Sequence, residues 1–227
     1  MDPKTLRDPH NEPLFKARDT TIFRVLLAFA ALLVIGSGTM AYAYFHSGYW
    51  NRVGIAPPQP ILFSHRHHAG ELKIDCRNCH PTVETGAFAG MPSTHTCLTC
   101  HSQIFTNTVM IRPLVESAES GSPIEWNRVN RLPDHVYFNH SIHIAKGVAC
   151  FTCHGDVGKD ALMVKGQPLI MRWCVGCHRD PGARLSQPGD LFDALAPAKP
   201  PKATPAELLA FYHVRTAVLT NCSTCHH

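Results

Sequence analysis

The chain has 227 residues, a formal charge of +4 and only 17% charged side chains. No dense Lys/Arg run stands in it, which argues against a nucleic-acid surface. All 10 cysteines fall in five Cys-x-x-Cys-His motifs, and neither a zinc ribbon nor a dithiol enzyme needs that trailing histidine five times over.

Cys-x-x-Cys-His is the attachment site of a c-type haem. Two thioethers suit the porphyrin, and the adjoining histidine can then reach the iron. The expected covalent set is Cys76, Cys79, Cys97, Cys100, Cys150, Cys153, Cys174, Cys177, Cys222 and Cys225. The proximal iron ligands are His80, His101, His154, His178 and His226, for five haem c. No thiol is left over, so no disulfide is expected. Haem c is attached outside the cytoplasm, which puts the soluble part on the periplasmic or extracellular side. The porphyrin propionates would offset the basic charge.

In chain order, residues 1–24 are polar and mixed in charge, and read as a short cytoplasmic tail. Pro3, Pro9 and Pro13 argue against a long helix before about Leu14. Residues 25–45 carry no charge, and as a helix would span about 31 Å, close to the bilayer core. Gly36 to Thr39 form a small-residue patch, either a packing face for a neighbouring helix or a tolerated run. Tyr42, Tyr44, Tyr49 and Trp50 gather at the far end like an interfacial belt, and the basic residues before the helix favour an N-inside orientation. Ala41-Tyr42-Ala43 is faintly like a cleavage site. The apolar core is long for a signal peptide, so an uncleaved single-pass anchor in the cytoplasmic membrane is expected.

Residues 46–60 are a proline-stiffened linker. Residues 61–102 form a first di-haem unit, with a loop through GAFAGMPSTHT. Residues 103–135 are a spacer without a haem motif. In it Pro113 to Ser120 reads as a short helix stopped by Gly121, and Trp126, Arg128 and Arg131 are placed to pack on a haem, on a partner or merely within a connector. Residues 136–180 form a second di-haem unit. Residues 181–227 hold a wrapping loop, a helix and the fifth motif. Thr204-Pro205-Ala206-Glu207 is a capping box that starts this helix, expected to run to about Asn221.

The organising fact is a duplication. FSHRHHAGELKIDCRNCH begins at Phe63 and FNHSIHIAKGVACFTCH at Phe138. Aligning the phenylalanines pairs His65 with His140 and His68 with His143, and leaves His67 opposite Ile142 as a surface residue. Electron-transfer haems want six-coordinate iron, so His65, His68, His140 and His143 are the expected distal ligands. For the fifth haem Met171 is placed ahead, with His213 as the alternative; His95, His135 and Met163 are further candidates. The fold class expected is a mainly irregular multihaem cytochrome c domain with short α-helices wrapped round five haems, plus one N-terminal transmembrane helix. So small a domain has little protein core of its own, and the porphyrins must supply it.

The FxHxxH and CxxCH plan resembles the small multihaem cytochromes related to cytochrome c7. That likeness implies that His140 serves the haem at Cys150 and His143 the one at Cys174. It also puts Met171 close to the place of a third ligand. Nearly the full length resembles a narrower group, the pentahaem, single-span subunit of the alternative complex III family. The residues that carry this are SHRHHAGELKIDCRNCH, GSPIEWNRVNRLPD, VYFNHSIH, WCVGCHR and NCSTCH. It implies a relay subunit with no catalytic site of its own inside a membrane quinol-oxidising complex. Its partners would be an iron–sulfur subunit, integral membrane subunits, and a monohaem cytochrome, soluble carrier or oxidase downstream. Two rivals stand beside it: a self-sufficient, membrane-anchored multihaem quinol dehydrogenase, and a multihaem reductase of a small oxyanion. Five motifs that all end in His argue against the last.

Overall fold

The structure, a computed structural model, describes residues 17–196 and 202–226. Of the tail expected over residues 1–24, residues 1–16 lie outside these residues, and residues 17–24 are helical rather than a separate tail. The chain divides into two compact units, Met1–Asn51 and Arg52–His227.

The first unit is dominated by α1, Ala17–Phe45. The helix begins several residues before the uncharged stretch and is long and apolar enough to cross a membrane. Its hydroxyl groups are met within the helix: Ser37 Oγ donates to the Val34 carbonyl at 3.1 Å, and Thr39 Oγ1 to that of Gly36 at 2.9 Å. A hydroxyl in hydrocarbon needs such a partner. The belt residues cluster at the helix end, with Phe45 edge-on to Trp50 at 4.7 Å and Tyr44 at 5.4 Å from the same ring.

The second unit is short helices joined by loops. In order these are α2 (Cys76–Cys79), α3 (Thr94–His101), α4 (Arg112–Ser120), α5 (His140–Ala145), α6 (Cys150–His154), α7 (Met171–Arg179), α8 (Pro205–Phe211) and α9 (Cys222–Cys225). Among the described residues there is no strand, only isolated bridges pairing Val53 with Lys165 and Val136 with His226. Every Cys-x-x-Cys pair sits on one turn of helix, which puts the two thiols on the same side. Local chemistry starts several of these turns: Asp75 caps α2, Ser93 caps α3 and Asn139 caps α5, each accepting from a backbone N–H. The Ser93 cap starts α3 at Thr94, so the loop expected through GAFAGMPSTHT ends there. Gly121 stops α4 in the left-handed region at φ 68°.

The capping box of Thr204 and Glu207 starts α8 as expected, but the helix ends at Phe211, well short of Asn221. Tyr212 is the cause. Its ring is buried against Gly147, its hydroxyl donates to the Ser186 carbonyl at 2.9 Å, and Lys146 Nζ binds the Tyr212 carbonyl at 3.0 Å. The next residue, His213, then turns the chain at φ 49°.

The interior made of protein is small. Among the described residues the buried apolar side chains are Val83, Leu114, Ile144, Ala149, Leu191, Ala196, Leu208 and Tyr212. The main cluster joins Val83, Ile144, Ala149 and Leu191, with Cys150, Phe151 and Phe192 packed on it. The loop after α7 thus lies across two cysteine motifs. Cys76 Sγ donates to the Phe192 carbonyl, and Cys150 N to that of Leu191.

Candidate haem sites

Each FxHxxH copy builds the same small device. Phe63 lies face to face with His68 at 4.4 Å and edge-on to His65 at 4.9 Å. Phe138 does the same with His143 at 4.7 Å and His140 at 4.7 Å. One aromatic ring therefore sets the orientation of two imidazoles. The sequence offered this signal, a phenylalanine at the same place in both copies. His67 instead faces solvent and pairs with Glu71 at 2.9 Å.

The oriented imidazoles face the histidines of the motifs. Ring centroids are 6.4 Å apart for His140 and His154, with planes 9° from parallel. They are 6.2 Å apart for His143 and His178, and 6.2 Å for His68 and His101. A metal–imidazole bond is about 2 Å, and the ring centre lies roughly 1.2 Å beyond the nitrogen. A metal held between two imidazoles therefore sets their centroids about 6.4 Å apart. Parallel rings stacked face to face would approach more closely than the 6.4 Å of His140 and His154. His65 lies beside His80: burial, then the charges of His80 and His68, pull its pKa down to about 4.

The ring nitrogens agree with this. The Nδ1 atoms of His68, His80, His140, His143 and His178 meet main-chain carbonyls of Ser64, Gly90, Ala87, Asn139 and Leu219 at 2.7–2.9 Å. Those of His101 and His226 meet Ile104 and His135 carbonyls at 3.3 and 3.2 Å. A ring that gives its Nδ1–H to a carbonyl keeps Nε2 bare, the tautomer a metal needs. Burial, reinforced by His140 and His80, also holds His154 down to about 4, and burial lowers His143. All three are neutral at pH 7.

The thiols give the order of the sites in space. Burial raises Cys97, with Cys79 near enough to add to it. A hydrogen bond to Cys150 lowers Cys76. Burial pushes Cys153 up to about 12, helped by Cys177 and Cys174. Cys174 is raised by burial and by Cys225, whose sulfur is 4.0 Å from His178 Nδ1. The links run from the Cys97 motif to Cys76, then Cys150, then Cys174, then Cys222. The terminal sites reach the surface, with Cys100 and Cys222 exposed.

The fifth site is built differently. The His226 ring has His135 at 5.6 Å, closer than the spacing of the other three pairs. Its Nδ1 bonds the backbone carbonyl of the same residue, which makes this a packing contact. Met171 opens α7 with its side chain 66% exposed. His213 is exposed too, and its carbonyl accepts from Lys146 at 3.4 Å.

Trp126, Arg128 and Arg131 join Arg52 and Lys165 in the wall of a cavity of about 730 Å³. The linker and spacer are zipped together here, Gln59 exchanging hydrogen bonds with the Asn127 backbone at 2.8 and 3.0 Å. Burial, then Arg52, lowers the Lys165 pKa. The sequence did not single out Asn130, whose amide lies 3.0 Å from His154 Nδ1.

These features are those expected of sites that hold c-type haem. Residues 136–227 match the family model described as cytochrome c7 and related cytochrome c, so the likeness takes in α5 to α9, and haem c is the cofactor that this family implies. The chain is also similar to the menaquinone reductase multiheme cytochrome c subunit of Nitratidesulfovibrio vulgaris, 38% identical over 97 residues. That alignment takes in 42% of this chain and 45% of the relative, so the chain spans a little under half of that relative's length.

Proposed function

We propose that the chain is a membrane-anchored pentahaem c-type cytochrome subunit that relays electrons and has no substrate of its own. The observation that carries the reading is the set of three imidazole pairs at 6.2–6.4 Å, held within a single file of five cysteine motifs. Haem c supplies the one-electron couple at each site. The polypeptide does the rest. The ten cysteines anchor, His80, His101, His154, His178 and His226 ligate on one side, and His65, His68, His140 and His143 on the other. Carbonyls and phenylalanines orient the rings, while Arg52, Arg128, Arg131 and Lys165 supply a cationic wall suited to carboxylates. Met171 is the proposed second ligand at the His226 site. The helix α1 anchors the chain with its N-terminus inside and the haem domain on the periplasmic or extracellular face.

The nearly full-length resemblance to the pentahaem subunit of the alternative complex III family supports a quinol-oxidising assembly as electron donor. An iron–sulfur subunit and integral membrane subunits would lie upstream, with a monohaem cytochrome, a soluble carrier or an oxidase downstream. A second reading reverses the flow, delivering electrons toward menaquinone; the name of the Nitratidesulfovibrio vulgaris relative favours it. Gentle membrane extraction, identification of the co-purifying subunits, and assays of quinol oxidation and quinone reduction distinguish the two. The expected result is five covalent haems on this chain and turnover by the assembly only. Steady quinol turnover by the purified subunit alone would overturn the relay and favour a self-sufficient quinol dehydrogenase.

A further inference from the structure

Among the nine histidines of the five motifs and the two FxHxxH copies, Nδ1 meets a main-chain carbonyl with two exceptions. His65 Nδ1 is buried without a partner. His154 Nδ1 meets a side chain, the Asn130 amide nitrogen at 3.0 Å. With the amide so oriented, Asn130 Nδ2 donates and His154 Nδ1 accepts. That tautomer carries its hydrogen on Nε2, the nitrogen that must be bare to bind iron. At the same time Asn130 Oδ1 is shut off from solvent with no hydrogen bond. The oxygen and nitrogen of an amide are assigned from their surroundings. Exchanging them lets Oδ1 accept the Nδ1–H and leaves Nε2 free. The exchange moves the unpartnered place to the amide nitrogen, so the tautomer of His154 decides between the two orientations.

We infer that Asn130 is a positioning residue for His154, its side-chain oxygen doing for this ring what a main-chain carbonyl does for seven others. The inference rests on the reading of His154 as an iron ligand. An accepted Nδ1–H fixes the tautomer, holds the ring plane and makes Nε2 more basic, which stabilises oxidised iron. The place matters, because Cys150 and His154 form the middle site of the file. A main-chain carbonyl cannot be substituted away, whereas a side chain can. The central site is therefore the one whose potential a single substitution adjusts without moving the backbone. Asn130 reaches it from the spacer, which carries no haem motif, between Arg128 and Arg131 of the cationic cavity.

The test is potentiometry and EPR on the full-length haem-loaded chain in detergent, comparing Asn130→Leu and Asn130→Asp. Leu keeps the bulk and removes the acceptor. The expected result is a rise in the midpoint of one haem, about tenfold in its reduced-to-oxidised ratio, which is about 59 mV for one electron. Its low-spin EPR signal should change as the ring is freed from its near-parallel setting. Asp accepts more strongly, so the same midpoint should fall. If both variants keep their haems and neither moves a midpoint, or both move it the same way, the inference is overturned. Should Asn130→Leu fail to mature, Asn130→Asp decides alone, and a rise there overturns it. Mass spectrometry finding no haem on Cys150 and Cys153 of the unaltered chain would instead bring down the ligand reading itself.

Discussion

The two FxHxxH copies present the same rings and carry them on different backbones. From the second histidine to the first cysteine the first copy is one residue longer. It absorbs the extra residue as a π-helical turn, Arg66–Glu71, in which Leu72 N reaches back to the His67 carbonyl at 2.9 Å. The second copy is an ordinary α-helix with Asn139 as its cap. The phenylalanine geometry differs by only a few tenths of an ångström between them. Selection of ring placement is thus separable from backbone form, and a π turn is the local way to take up one residue without losing the face. The copies also differ in hydrogen bonding. His140 has the Ala87 carbonyl at 2.8 Å, whereas His65 Nδ1 has nothing.

The most disruptive way to break the equivalence is to remove one ring from each copy. His65→Ala and His140→Ala should each convert one haem fully from low to high spin, read by EPR, with the other haems unaffected. Conversion in one copy only would mean that the copies are not functional equivalents. Next in size is a backbone effect confined to the first copy. A Cβ at Gly70 would run into the Gly158 carbonyl. Gly70→Ala should cost on the order of 1–3 kcal/mol, seen as a lower thermal midpoint. The aligned residue in the second copy is already Ala145.

A pH titration sharpens the comparison further. Burial holds His65 and His154 to about 4, below the ordinary imidazole value of about 6.5. Protons therefore favour the unfolded or released ring first, and the native arrangement loses stability as pH falls below about 6.5, down to about 4. Iron on Nε2 competes with the proton, so the low-spin visible spectrum should persist from pH 7 to pH 5, and its loss above pH 5 would show that burial does not protect these rings. The missing acceptor at His65 predicts a higher midpoint for the Cys76 haem than for the Cys150 haem in a redox titration. The smallest difference expected is between Phe63→Leu and Phe138→Leu. Each should lose roughly 1 kcal/mol, equal within about half of that.

Much of the ring pairing was legible because a repeated spacing is itself a geometric statement. FxHxxH put two imidazoles on one side of a turn and the histidine after each cysteine pair supplied the facing set, while the pairing of His140 with the Cys150 motif and His143 with the Cys174 motif was implied only by the cytochrome c7 resemblance. The capping box of α8 and Gly121 were equally local. What escaped was set by contacts distant in sequence. The end of α8 depends on Tyr212 meeting Gly147 and Lys146, which no local pattern near Asn221 could announce. Asn130 matters only because folding carries the spacer to His154, and the file order depends on thiols such as Cys76 and Cys150 meeting across the two units of the duplication. For the His226 site no repeat supplied a partner, and Met171 rests on the resemblance and its position before Cys174.

Eight buried apolar side chains among the described residues are a thin interior for so long a stretch of polypeptide. A chain of this kind without bound haem would have little to hide from proteases. The steady-state abundance of this protein should therefore follow the supply of porphyrin in the cell more closely than the rate of its own synthesis. Iron-starved cultures would be expected to lose it at the level of turnover while its messenger persists.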